Sequence, residues 1–259
     1  QQGQKLDGSP VYFYISAEQS ENVPHQIKYL SGSHQQDTVG TVIENPLVIQ
    51  VFNENAQPLT DIPVFFTITQ GDAYFTNDST QYTNADGITG ARLHLGTQSG
   101  TVKVLASVAQ VNTPVLFTLT ALPAKAESAV IVNGASQTGI AGHRLNQPLV
   151  VQLTDRYENG VNMNPVIFTP HHNQSRIFPA DTVLTDTTGT VSVEWQLADT
   201  TGPQTVTAAI PSLPDTQLTF QATALANQPP RFQTADSFTI DENQFLSFFI
   251  NVTDPENDQ

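Results

Sequence analysis

The stretch "ENPLVIQV", residues 44–51, returns as "NQPLVVQL" at residues 146–153. Pro46 and Pro148 mark an offset of 102 residues, and that offset holds without a gap over most of a domain's length. Gly32 falls on Gly134, Gly40 on Gly142, "PVFFT" (63–67) on "PVIFT" (165–169), Gly87 on Gly189, Gly100 on Gly202 and Val104 on Val206. Near the end the offset becomes 103, pairing Phe117 with Phe220 and Ala121 with Ala224, as one inserted loop residue would do. A repeat at this spacing indicates a duplicated module.

The periodicity inside the repeat is that of strands. Leu47, Ile49 and Val51 share one face, as do their counterparts Leu149, Val151 and Leu153. Ala91, Leu93 and Leu95 alternate with polar or small residues, matching Val193, Trp195 and Leu197 in the second copy. A period of two with one polar face predicts strands buried on one side only. Such strands recur about every ten residues, separated by Gly, Asn, Asp and Pro, which predicts antiparallel sandwiches. No segment carries a sustained 3.6-residue apolar stripe. Pro46, Pro63, Pro148 and Pro165 stand at predicted strand starts, where a missing N–H costs least. "NADG" (84–87) and "DTTG" (186–189) read as turns leading into strands, and "ENG" (158–160) as a hairpin tip.

Composition narrows the function classes. The 24 acids against 9 Lys and Arg leave a net charge of −15. That balance opposes nucleic-acid binding and docking on anionic lipid. There are no cysteines, so disulfides and thiolate metal sites are excluded, and each ~100-residue copy is large enough to fold without them. No run approaches the ~20 apolar residues of a membrane-spanning helix. The chain opens "QQGQKLDG" and stops at "DPENDQ" in mid-pattern, so it reads as a piece of a longer protein.

"GTVIENPLVIQVFNENAQPLTDIPVFFTI" followed by "TNADGITGARLHLGTQSGTVKVLA" resembles the bacterial Ig-like domain of the invasin and intimin type. The second copy departs in two loops: "LGTQSG" (95–100) becomes "LADTTG" (197–202), and "PHHNQSRIF" (170–178) replaces a Gly-rich loop. The expected architecture is all-β, with tandem immunoglobulin-like sandwiches arranged end to end. Residues 1–22, with "PVYFYISA" (10–17) echoing "PVLFTLTA" (114–121), read as the last strand of a preceding copy. Two Ig-like domains follow, at 23–122 and 123–225. Residues 226–259 resemble the start of a cadherin-like or related Ig-type module.

The acidic tail is the first candidate for chemistry. Ca²⁺ takes six to eight oxygens, and Asp241, Glu242, Asp254, Glu256 and Asp258 could supply some of them. In the cadherin-like resemblance, Glu242 and Asp254 sit where an early Glu and a later acidic cluster meet at a domain junction. The competing reading makes "DPEND" a solvated turn. His171 and His172 are the second candidate, as partner-binding residues in the departing loop; adjacent strand residues point to opposite faces, which opposes joint chelation of a metal. Phe52, Tyr82 and Tyr157 are exposed aromatics in this reading, and Trp195 a core anchor. Asn77, Asn173 and Asn251 head glycosylation-type triplets, which matter only in a eukaryotic source. No nucleophile elbow or phosphate loop occurs, and the chain reads as not an enzyme.

Three functions compete. The first is an extended spacer in a bacterial surface or secreted protein, an adhesin holding a distal binding module out from the cell; short linkers such as "LPAKAESA" (122–129) support it, and the resemblance implies it. The second is a module that itself binds a carbohydrate or protein partner, such as a host-cell receptor, through its loops. The third is an accessory region of a large secreted enzyme or polymorphic toxin. All three place the chain outside the cell, next to neighbouring Ig-like domains of the same polypeptide.

Overall fold

The computed structural model describes residues 22–228, together with 231–232, 242 and 252–253. The expected closing strand of a preceding copy lies outside the described residues. The chain divides into two compact units, Gln1–Leu122 and Pro123–Gln259. Among the described residues there is no helix.

Unit 1 contains β1 (Gln26–Ser31), β2 (Gln36–Thr38), β3 (Leu47–Phe52), β4 (Pro63–Gln70), β5 (Ala73–Phe75), β6 (Thr80–Tyr82), β7 (Ile88–Ala91), β8 (Leu93–Leu95), β9 (Gly100–Val108) and β10 (Val115–Leu122). They build a three-stranded sheet β1-β3-β7, a five-stranded sheet β2-β10-β9-β4-β6 and the pair β5-β8. Unit 2 contains β11 (Ser128–Asn133), β12 (Ser136–Ile140), β13 (Leu149–Thr154), β14 (Pro165–Pro170), β15 (Arg176–Phe178), β16 (Thr182–Leu184), β17 (Thr190–Gln196), β18 (Gly202–Ala209) and β19 (Gln217–Leu225). Its sheets are β11-β13-β17-β15 and β12-β19-β18-β14-β16. Two short strands, β20 (Arg231–Phe232) and β21 (Val252–Thr253), pair with each other.

The alternation read from the sequence is the alternation of burial. Leu47, Ile49 and Val51 on β3, and Leu149, Val151 and Leu153 on β13, are fully buried, while the residues between them are half-exposed. Each such side chain stabilises the fold by about 1.5–3 kcal/mol relative to exposure. In unit 2 the buried faces of both sheets meet in one cluster: Leu149, Val151, Val193 and Trp195 come from one sheet, and Val166, Phe168, Val206 and Phe220 from the other. Phe168 and Phe220 lie with ring centroids 6.2 Å apart. This is a β-sandwich, and the two units repeat it.

The repeat extends to register. Ile27 faces Val51 and Tyr29 faces Ile49, with a bulge before Ser31; Ala129 faces Leu153 and Ile131 faces Val151, with a bulge before Asn133. Buried Thr83 donates to Leu59 O and accepts from Ile62 N; Thr185 donates to Val161 O and accepts from Asn164 N. Asn84 accepts from the amides of Asp86 and Ile88, and Asp186 from those of Thr188 and Thr190, so both predicted turns are closed by their own first side chain.

One pairing in each unit departs from the antiparallel expectation. β2 pairs with β10, and β12 with β19, in parallel. The first strand of each unit leaves one sheet at its bulge and continues along the edge of the other. Gly32 and Gly134 make that switch with φ of +100° and +78°. A Cβ at either would meet a backbone carbonyl, that of Pro46 at 2.2 Å or of Pro148 at 2.5 Å. Only glycine satisfies both demands. The "ENG" tip forms, but its positive φ belongs to Glu158, at 68°. Gly160 serves close approach instead: a Cβ there would lie 2.1 Å from Thr188 O.

The two departing loops have structural causes. In unit 1, Asp72 closes the "LGTQSG" corner by accepting from the amides of Thr97 and Gln98. In unit 2, Gln204 closes the "LADTTG" corner from the opposite side. Its Oε1 accepts from Ala198 N, and its Nε2 donates to Ala198 O and Thr200 O. The Val102 position has become a buried amide. Likewise Trp195 replaces Leu93 and brings an indole N–H into the core. Ser175, in the departing loop, accepts that proton at 2.7 Å and donates to Gln196 O.

Candidate functional site

The tail acids come first. Glu242 lies in an exposed turn. Asp254, Glu256 and Asp258 lie outside the described residues. Among the described residues no group of three or more His, Asp or Glu is placed to hold a metal ion.

His171 and His172 sit at the end of β14. The strand register carries on into His171, whose amide donates to Thr205 O and whose Nε2 meets Thr207 Oγ1 at 3.0 Å. That ring therefore rests against β18. His172 is half-buried, and its Nδ1 is buried with no hydrogen-bond partner among the described residues. Its carbonyl accepts from Ser175 N, which helps hold the turn that brings Ser175 to Trp195. Of the aromatics expected at the surface, Tyr82 is 64% exposed. Phe52 and Tyr157 are half-buried, and the Arg156 guanidinium lies 4.6 Å from the Tyr157 ring centroid.

A shallow groove of about 900 Å³ in unit 2 is lined by Arg144, Asn146, Phe178, Pro179, Ser192 and Glu194 among others. Arg144 pairs with Glu194 and lies 4.0 Å over the Phe178 ring. The aromatic face is thus covered by the protein's own guanidinium. Both partners of the ion pair are about half exposed, so it contributes little to stability.

The most elaborate polar arrangement is elsewhere, around Asp155 just after β13. This carboxylate is only 3% exposed. Its Oδ1 accepts from the amides of Tyr157 and Asn159, at 2.8 and 2.9 Å. Its Oδ2 accepts from Asn159 Nδ2 at 2.9 Å and from the amide of Ala124 at 2.8 Å. Burial pushes the carboxyl up, but Asn159 Nδ2 and the three amides together outweigh it and hold the group below its ordinary value. In unit 1 the matching residue is Asn53, whose Oδ1 accepts from the amides of Asn55 and Gln57. The same Asx turn is built in both units, and unit 2 adds a charge and a bond to Ala124.

That bond concerns the segment where unit 2 begins. Leu122 belongs to unit 1: it pairs with Thr38, and its carbonyl accepts from Val39 N. Ala124 is held by Asp155 in unit 2. Ala126 is buried in the unit 2 core, and Glu127 N donates to Thr154 O. Pro123 alone stands between the last tie to one unit and the first tie to the next. Sequence reasoning passed over Asp155. The signal was the exchange of Asn53 for Asp155 at the head of an otherwise conserved-length turn, 31 residues from the amide it holds.

No protein-family model matches the chain, and no curated protein matches it in sequence. Solved structures do. The chain is similar to Yersinia pseudotuberculosis InvD, at 18% identity and a TM-score of 0.56, over 83% of this chain and 60% of that one. It is also similar to the Escherichia coli adhesin FdeC, at 14% identity and a TM-score of 0.54, over 80% of this chain and 67% of that one. The D0-D1 domains of intimin match at 18% identity over 77% of this chain and 95% of that one, with a TM-score of 0.31. The likeness to InvD and FdeC establishes the fold as the tandem Ig-like sandwich of these proteins. The chain spans about three-fifths to two-thirds of their solved lengths.

Proposed function

We propose that this chain is a non-catalytic spacer within a large bacterial surface or secreted adhesin, holding a distal binding module out from the cell. One observation carries the reading. The chain passes from unit 1 to unit 2 through Pro123, with Leu122 paired into one sandwich and Ala124 hydrogen-bonded into the next. Proline fixes its own φ near −65°, so few backbone torsions remain to vary between the units. A linker of this kind transmits direction along a chain, which a flexible tether does not. The shared fold with the adhesin FdeC supports the setting. The partners of such a segment are its neighbouring Ig-like domains. A host receptor or glycan would engage the distal module.

The chain has no cysteine, so two introduced cysteines label it uniquely. Spin labels at Thr67→Cys and Thr169→Cys, both exposed strand positions, one in each unit, are expected to give one narrow distance distribution. A broad distribution refutes the spacer. Binding is tested separately on a glycan array and on host cells. The spacer reading expects no saturable binding by this segment. Saturable binding abolished by changing His171 and His172 would favour the binding-module reading. A Ca²⁺ ion on Glu242, Asp254, Glu256 and Asp258 remains part of the proposal for the tail.

A further inference from the structure

We infer that Asp155 is a positioning residue that locks the passage between the two units. The inference rests on the spacer reading and deepens it. Its physical content is the length of chain left untied. With the Ala124 amide held by Asp155 Oδ2, a single residue, half-buried Pro123, separates the last pairing into unit 1 at Leu122 from the first described hydrogen bond into unit 2. Without that bond the next ties are the burial of Ala126 and the Glu127 N–Thr154 O bond. Pro123, Ala124 and Lys125 then all belong to the linker. Each added residue brings two torsions less constrained than those of proline, and up to about 3.5 Å of reach.

The carboxylate is suited to the task in a way its counterpart is not. An Asx turn needs only one side-chain oxygen, as Asn53 shows with its two amide donors. An asparagine's second terminal atom is a donor and cannot accept from another N–H. Asp155 has a second acceptor, and Oδ2 spends it on Ala124 and Asn159 Nδ2. Four donors converge on one buried carboxylate, which is what an ionised group at 3% exposure requires. The turn fixes the carboxylate's orientation, and the free oxygen then reaches the entering segment. The turn is local to residues 155–159, and the lock acts on a residue 31 positions earlier.

Asp155→Asn separates the two roles. It keeps an oxygen for the turn amides and removes the acceptor for Ala124. Three measurements are made on the full chain carrying the Thr67→Cys and Thr169→Cys labels. Trp195 emission reports whether unit 2 stays folded. Amide exchange of Ala124 is expected to quicken by about tenfold or more, the scale of a lost charge-assisted bond, while the Tyr157 and Glu127 amides keep their protection. The distance distribution is expected to broaden relative to wild type. If Asp155→Asn leaves Ala124 protected and the distribution unchanged, the lock is overturned and the spacer reading stands. If Ala124 exchange quickens but the distances do not broaden, the bond exists and does not govern the passage, which also overturns the lock. If the wild-type distribution is already as broad as the variant's, the spacer reading fails, and the lock with it.

Discussion

Replacing Gln204 by valine tests the account of the second copy's altered corner. Gln204 is 1% exposed and occupies the position of Val102 in unit 1, so valine fits the fold at this site. What is lost is the acceptor for Ala198 N, at 2.8 Å, and the two donors from Nε2. These losses are unequal. Ala198 O still accepts from Gly142 N, and Thr200 is exposed, so its carbonyl can turn to water. The Ala198 amide, in a residue 1% exposed, is left stranded. An orphaned buried donor costs about 1–3 kcal/mol. The smaller apolar side chain leaves part of the glutamine's space unfilled, which holds the total near ~2 kcal/mol rather than at the low end of that range. Unit 1 escapes this cost because the matching amide, Gly96 N, donates to the backbone carbonyl of Asp72. The chain's single tryptophan, Trp195, lies in the unit 2 core, so its emission in a urea titration reports that unit alone. For a domain of this size, with a slope of about 1–1.5 kcal/mol/M, the midpoint should fall by roughly 1.3–2 M. A midpoint within about 0.3 M of wild type, well below that slope's prediction, would show that the amide finds another partner, and the explanation for the corner would be wrong.

Other outcomes follow from the same structure. Ser175→Ala removes the acceptor of the buried Trp195 indole N–H and should destabilise unit 2 by about 1–2 kcal/mol, with a changed native emission maximum. The carboxyls of Asp155 and Asp186 are both held below their ordinary values, by the bonds described for Asp155 and by Thr188 and Thr190 for Asp186. A depressed folded value means that the stabilisation is complete above the unfolded value and is lost as pH falls through the folded one. Unit 2 should therefore hold its urea midpoint from pH 7 to about 5 and lose it below about pH 4, with a shallower fall in Asp155→Asn. Addition of millimolar Ca²⁺ should raise the melting temperature if Glu242, Asp254, Glu256 and Asp258 hold the ion, since binding to the folded state alone must stabilise it. An unchanged melting curve removes Ca²⁺ from the proposal.

Much of the fold was legible because strand patterning is a local property. The backbone pleat sends successive side chains to opposite faces, so Leu47, Ile49 and Val51 declare their burial without knowledge of any partner. The glycine and Asx turns are equally local, and duplication at 102 residues let each copy support the other. The loops were harder to read. The change at 170–178 looked like candidate surface function and that at 197–202 like a loop departure alone, and the structure ties both to buried groups, Trp195 and Ala198.

The sequence by itself determined the class of structure: strands that bury one face each, the turns between them, and a module used twice. Only the tertiary structure decided which sheet the first strand joins after Gly32 and Gly134, which side chain closes each corner, and that Asp155 reaches back to Ala124. The reason lies in range. Alternation and turn chemistry are set within a few neighbouring residues, whereas a hydrogen bond between residues far apart in the chain exists only once packing has brought its donor and acceptor together.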